Sequence, residues 1–441
     1  MNAVVIGAGM AGLVAARVLS DRYETVTVVD RDALPDGSTP RRGVPQSEQP
    51  HALLVSGLYE LDRQFPGIAG ELVAAGATRF DAGLGLCVYR YGGRWPQSPI
   101  GVELVTASRP LIEAVVRGHV ARRPGVCIRD RVAVTELAGS GDRITGVVLD
   151  TGETLGAEIV VDASGRGSRS DRWLAARGFP PPAKTEIKIG VTYTTRLYRR
   201  RADDLDGWQA TVVLPTPPGE NRYGTVLPIE DDRWIVTVGG WHIDTPPASA
   251  AEFTAYAHSL PDPIVANLVD RGEPLTDPAM FRFPASRRRS FDRTDRLPAG
   301  YVAVGDAFCS FNPIYGQGMT VAAMAARALG AALDRHGGAA TATMARDYYR
   351  QAAALIATPW QFAVGGDFSF PQTTGPRPRG IGLSNRYARR IALASQVQPD
   401  INATFFRVQQ LLQPPSVLFR PAFMARVLWL TRPGSAAARR R

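Results

Sequence analysis

The chain has 441 residues, 45% of them hydrophobic, and a formal net charge of +10. That much apolar material supports more than one compact domain with a large core. Cysteine is confined to Cys87, Cys127 and Cys309 with no CxxC pair, and the five histidines show no ligand spacing, so neither a disulfide framework nor a metal site is expected.

The basic residues are almost all arginine, Lys184 and Lys188 being the only lysines. Aromatic residues do not interleave with the arginines as single-strand binding requires, so no nucleic-acid partner is expected. The chain enters a strand pattern at once and nowhere runs through about 18 apolar residues. No membrane partner is therefore expected, and a cytoplasmic location follows by default.

In chain order, Ala3–Ile6 reads as a strand buried on both faces, Met10–Leu19 as a helix and Thr25–Val29 as a parallel strand. Gly7-Ala8-Gly9-Met10-Ala11-Gly12 joins the first two, and Asp30-Arg31 closes the third. Gly7 permits the tight turn, Gly9 lets the backbone approach a pyrophosphate, and Gly12 lets helix and strand pack closely. Met10 and Ala11 open the helix, whose free N–H groups and dipole favour phosphate. Asp30 is placed to accept from ribose hydroxyls.

Residues 35–50 read as a loop, 109–122 as an amphipathic helix, and 126–137, 144–150 and 158–163 as strands. Residues 187–198 and 209–243 alternate like half-buried antiparallel strands, with a hairpin turn at 230–233. Residues 301–305 return to a buried strand and 317–335 to a helix. After 340 the pattern is mostly helical, broken by a loop at 365–381.

The glycine-rich turn alone does not separate FAD from NAD; the stretch 301–319 does. Its strand ends in Gly305-Asp306, its loop passes Pro313, and Gly316 and Gly318 open a helix. Here the sequence resembles the glutathione-reductase-type flavoproteins and, among them, the aromatic-hydroxylase-like FAD-dependent monooxygenases. The resemblance implies that Asp306 hydrogen-bonds the ribityl chain. It also implies that Gly316-Gln317-Gly318-Met319 cradles the pyrimidine edge of the flavin, where a helix N-terminus stabilises negative charge. Residues 162–168 resemble the family's stretch that approaches both FAD and NAD(P)H, with Ser164 in place of the usual aspartate.

Arg42-Gly43-Val44-Pro45-Gln46, His51, Ser108-Arg109 and Pro228-Ile229-Glu230 extend the likeness to the polyene epoxidases of polyether antibiotic biosynthesis, of the lasalocid and monensin type. This implies FAD contacts from Arg42, Gly43 and Arg109, with Arg31, Val134 and Pro313 completing the set, and puts His51 near the flavin as a candidate catalytic residue. Tyr193, Trp234, Trp241, Phe311 and Trp360 are candidate walls of a substrate pocket, whereas Cys309 reads as packing.

The expected fold is α/β. A glutathione-reductase-type, Rossmann-like FAD-binding domain from 1–75, 100–185 and 290–340 is interrupted by a mixed or antiparallel β-sheet substrate domain from 76–99 and 186–289. A C-terminal helical region follows at 341–441. The implied chemistry starts with reduction of FAD by NADPH or NADH, directly or through a partner flavin reductase. Molecular oxygen then forms a C4a-hydroperoxide that transfers oxygen to a small apolar organic substrate. No side-chain arrangement demands a general base, which favours epoxidation of a polyene or polyketide-like intermediate over hydroxylation. A flavin-dependent reductase of the geranylgeranyl-reductase type, a flavin-dependent halogenase and a non-catalytic flavin-binding protein remain the alternatives; the halogenases' WxWxIP stretch is absent from the sequence.

Overall fold

A five-stranded parallel sheet and an eight-stranded mixed sheet organise the chain, which the computed structural model describes over residues 1–41, 43–51 and 53–434. The parallel sheet runs in the order Tyr301–Ala303, Ile159–Asp162, Asn2–Ile6, Thr25–Val29, Val126–Arg129. Its central strands are apolar without alternation because both faces are covered, one by helices and the other by the three-stranded antiparallel sheet of Val134–Ser140, Arg143–Leu149 and Thr154–Gly156. Val5, paired with Val161 and Val28, is fully buried, as is Val302 beside Val161. The helices Met10–Leu19 and Gly318–Arg335 pack against each other over this sheet.

The register sets Ile6 beside Asp162 and Asp162 beside Ala303. Three strand ends, distant in sequence, thus open into one crevice, the place where open α/β sheets bind ligands. The edge strand is closed by the helix Ala342–Asp367: the Ala303 N–H donates to Tyr349 Oη at 2.8 Å and its carbonyl accepts from Tyr348 Oη at 3.1 Å.

The mixed sheet runs Cys309–Ser310, Ala279–Arg289, Lys184–Arg199, Arg233–Trp241, Arg222–Ile229, Ala210–Val213, Leu86–Arg90, Gly93–Arg94. Every pairing is antiparallel except Ala210–Val213 with Leu86–Arg90. In the hairpin that pairs Ile229 with Arg233, Asp231 and Asp232 take φ values of 61° and 49°, which aspartate tolerates in tight turns. Side chains alternate along Arg233–Trp241. Trp234, Val236 and Val238 face the helices Ala250–His258 and Ile264–Arg271 through Phe253 and Leu268, while Thr237 and Trp241 face the other way. The helices Ile381–Ser395, Pro399–Gln409 and Pro421–Leu430 share a further apolar cluster through Ile391, Phe405 and Val427. Among the described residues, no helix is long and apolar enough to cross a membrane.

Candidate functional site

The crevice begins at the glycine-rich turn. Gly7 has φ +102°, and a Cβ there would lie 2.6 Å from the Ala163 carbonyl oxygen; at Gly12 a Cβ would stand 1.8 Å from the Gly7 carbonyl oxygen. Both glycines are therefore fixed by the packing of helix on strands. Gly9 differs. A Cβ on it would meet only the guanidinium ends of Arg41 and Arg109, at 3.8 and 4.0 Å. Gly9 caps the helix without a side-chain cap, and the first ladder bond runs from Leu13 N–H to its carbonyl. The N–H groups of Met10, Ala11 and Gly12 are left without an intrahelical acceptor, as an anion site requires.

Asp30 is already engaged. Its Oδ2 accepts from the Ala8 N–H at 2.6 Å and from Arg41 at 3.1 Å, and its Oδ1 accepts from the Asp32 N–H at 2.9 Å. Arg41 also donates to Glu113 at 2.8 Å and to Asp32 at 3.1 Å, and Glu113 accepts from Arg109 at 3.2 Å. Arg42 lies outside the described residues; the guanidinium beside Gly9 is that of its neighbour Arg41, which the sequence reading passed over. Gly43 donates its N–H to Asp32 at 2.8 Å. Arg31 is exposed, and Val134 is buried where its strand pairs with Leu149.

At the end of the neighbouring parallel strand, beside Ile6, Asp162 is fully buried and accepts from Ser164 Oγ at 2.5 Å, Ser168 Oγ at 2.6 Å and Tyr301 Oη at 3.0 Å. Ser164 is thus part of an internal lock on the 162–168 turn. Arg166 leaves that turn, lies 3.7 Å over the Phe283 ring and donates to the Ala285 carbonyl at 3.1 Å; its Nη1 is buried with no partner. Asp306 has no hydrogen bond among the described residues. Burial raises its pKa, opposed by the Arg166 and Arg109 guanidinium groups. Gly305, at φ +58°, has no room for a Cβ, which would lie 2.6 Å from Ala11 Cβ. The second turn is thereby held against the first helix.

Gly316, at φ +68°, leads into the helix Gly318–Arg335. Gln317 caps that helix without a side-chain bond, its Oε1 is buried and unpartnered, and space beside Gly318 is open. Unpaired N–H groups at Met10–Gly12, an unpaired Asp306, the unpartnered Nη1 of Arg166 and a second uncapped helix start make an elongated cradle. Its donors suit phosphates at one end, and its mixed donors and acceptors suit hydroxyls and a polar ring edge at the other.

Beyond Gly316 lies a cavity of about 630 Å³. Pro313, Tyr315 and Gln317 form one wall, Tyr193, Tyr223 and Trp241 of the mixed sheet another, and Phe362, Tyr387 and Phe405 of the C-terminal helices a third. Two of the five expected wall residues, Tyr193 and Trp241, are in place. Trp234 is not: it sits an odd number of residues from Trp241, so the pleat turns it into the opposite core, where its Nε1 donates to Asp204 at 2.7 Å. Phe311 and Trp360 do not reach the cavity either; they pack on each other at 6.3 Å in the core of the first sheet. Tyr223 could have been found by register, since it pairs with Gly239, which also pairs with Tyr193, so the two rings share a face. His51 places Nδ1 2.9 Å from the Gln49 carbonyl, and burial, reinforced by Arg109, pushes its pKa down to about 3. It is neutral near neutral pH and does not line the cavity. Cys309 is buried, and burial raises its thiol well above the usual range.

Sequence reading also missed Asp367. It is fully buried at the end of the helix Ala342–Asp367, and its Oδ1 accepts from Asn312 Nδ2 at 2.7 Å and Trp241 Nε1 at 2.8 Å, with Tyr315 Oη at 3.5 Å. Its Oδ2 has no partner, and burial pushes its pKa up to about 7. The carboxyl ties the 312–315 loop to one wall of the cavity.

No protein-family model matches the chain. The chain is 34% identical over 430 residues to Protein Rv3254 of Mycobacterium tuberculosis, covering 93% of this chain and 90% of that one. Among solved structures it is similar to a flavoprotein/dehydrogenase of Cytophaga hutchinsonii, with 16% identity and a TM-score of 0.70 over 100% of this chain and 98% of that one. It is also similar to a triple mutant of the flavin-dependent brominase Bmp2, at 15% identity and 0.67 over 97% and 98% of the two chains. PqsL, a probable FAD-dependent monooxygenase of Pseudomonas aeruginosa, matches at 16% identity and 0.65 over 84% and 97%. The chain belongs to the family of Protein Rv3254, on the two-lobed α/β fold of the flavoprotein monooxygenases.

Proposed function

We propose that the chain is an FAD-dependent monooxygenase that inserts one oxygen atom into an apolar organic molecule held in the cavity. One observation carries this reading: the Pro313–Gln317 segment is at once a wall of the 630 Å³ cavity and the entry to the uncapped helix start at Gly318. A ring held by Gly316–Gly318 at that helix start would lie beside the cavity. The flavin-dependent fold relatives support the same reading.

FAD, once reduced by NADPH or NADH directly or through a partner reductase, supplies the activation of oxygen. The chain supplies the rest. The N–H groups of Met10–Gly12 bind the pyrophosphate, with Arg41 and Arg109 close by. Asp306 accepts from the ribityl hydroxyls, and Arg166 offers its unpartnered Nη1. The N-terminus of Gly318–Arg335 stabilises negative charge at the ring edge. The aromatic and aliphatic walls exclude water and hold the substrate against the ring.

Among the described residues, no Asp, Glu or His lines the cavity. This favours epoxidation of an alkene, which needs no general base on the substrate, over hydroxylation of a phenol. A polyene or polyketide-like intermediate fits such walls. The test is incubation of the holoenzyme with candidate polyenes, NADPH and ¹⁸O₂. A product carrying one labelled oxygen atom supports the reading. A reduced product without oxygen uptake, or a halogenated one in the presence of bromide, contradicts it.

A further inference from the structure

We propose that the substrate is an organic carboxylate, an apolar body with one anionic end that Arg90 receives inside the cavity. The inference rests on the reading of the cavity as the substrate site and adds the charge of its occupant.

Among the described residues, the charged side chains lining the cavity are Arg90 and Arg379, and no acid accompanies them. Arg90 closes the strand Leu86–Arg90. It is positioned by the turn that follows, where Tyr91 takes φ 53° and Gly92 φ 77°. Gln396 fixes that turn from the C-terminal helices by donating to the Arg90 carbonyl at 2.7 Å. The guanidinium lies 4.9 Å over the Tyr91 ring, with Nη2 3.5 Å from Tyr91 Oη, and Nε is buried without an acceptor. Among the described residues, no carboxylate lies within ion-pair distance of it. Arg94, four residues on in the same hairpin, shows the satisfied alternative: it pairs with both oxygens of Asp262 at 2.7 Å.

Arg90 is half-buried, and a buried Nε without an acceptor is costly; the Nε–Nη edge is shaped to hold a carboxylate through two parallel bonds. A ligand carboxylate at Arg90 supplies the missing acceptor. The surroundings point the same way. Residues 368–441 hold twelve arginines and one acid, Asp400, so essentially all of the chain's net positive charge belongs to the C-terminal segment. That segment walls the cavity with Arg379, Tyr387 and Phe419, and Arg389 approaches Tyr91 at 5.5 Å. Such a field draws organic anions to the cavity.

The test compares decanoate with decan-1-ol, two occupants of equal chain length. Binding to the holoenzyme is followed by the fluorescence of Trp95 and Trp241, which line the cavity. Decanoate is expected to bind roughly 10-fold to 100-fold more tightly, the range of a charge-assisted bond. The preference is expected to shrink in high salt and to fall below about threefold in Arg90→Gln, with decan-1-ol affinity unchanged. Arg379→Gln is the second variant, expected to lower the preference less. Equal affinity of the two probes for the wild type would overturn the inference and leave the cavity assignment standing. So would a decanoate preference that survives both substitutions. If neither probe binds, the cavity assignment itself fails.

Discussion

The two ends of the crevice treat charge differently. At the glycine-rich turn, Arg41 and Arg109 are tied to Asp30, Asp32 and Glu113 by bonds of 2.8 to 3.3 Å, so the turn is held before any ligand arrives. At the Gly305 turn, Asp306 has no hydrogen bond among the described residues and Arg166 keeps an unpartnered Nη1. One end is prepaid in structure; the other is left open for a ligand to complete. Preorganised donors bind with less ordering cost, whereas unpaired buried groups gain most from an occupant.

The sharpest way to break this comparison lies within one hexapeptide. Gly12→Val should abolish folding, because its Cβ overlaps the Gly7 carbonyl, a clash costing more than about 4 kcal/mol. Gly9→Val should leave the fold intact, since nothing stands nearer its Cβ than the Arg41 and Arg109 guanidinium ends at 3.8 and 4.0 Å, yet should prevent FAD retention. Circular dichroism and visible absorption on both variants check this; equal losses in the two would remove the distinction drawn between them.

A second effect concerns Asp367. Its folded-state pKa of about 7 lies above that of an unfolded aspartate, so the folded protein binds the proton more tightly. The stabilisation is present in full below about pH 4 and is lost as pH rises through about 7, by at most about 4 kcal/mol. Asp367→Asn keeps an acceptor for Trp241 and Asn312 and should flatten this dependence in urea melts between pH 4 and 8. A variant with the wild-type slope would assign the titration elsewhere.

Asp306→Ala should weaken FAD binding about 10-fold to 100-fold while leaving the apoprotein as stable as the wild type or more so, because an unpaired buried carboxyl is removed. Isothermal titration and thermal melts separate the two effects, and a destabilised apoprotein would show that Asp306 has a structural bond instead. The smallest effect contrasts two tryptophans of one strand. Trp234→Phe should cost about 1–2 kcal/mol of stability without altering the cavity, and Trp241→Phe should alter ligand binding. Reversal of that pattern would contradict the register.

The same contrast explains what could be read without the fold. Gly7–Gly12 and Gly305–Met319 were legible because a strand, a tight turn and an uncapped helix start write their requirements into adjacent residues. The hairpin at 230–233 was legible through alternation. Trp234 and Trp241 were taken together, although pleat parity alone sends them to opposite faces. Arg42 was named from a family resemblance and lies outside the described residues, whereas the ion pairs that place Arg41 beside Gly9 come from Asp30, Asp32 and Glu113, which meet it only in the fold. Asp367 and Arg90 had no local signature: one acquires its raised pKa, and the other its missing counter-charge, from segments that meet only in the folded chain. The concentration of positive charge after residue 367 was visible in the sequence, but its meaning depends on the cavity those helices enclose.

Titration of the apoprotein with FAD, followed by quenching of flavin fluorescence, tests the central claim most directly. One FAD per chain should bind tightly to the wild type and to Trp234→Phe, and fail to bind to a folded Gly9→Val. No uptake by the wild type in the presence of excess FAD, or equal uptake by Gly9→Val, would contradict the account.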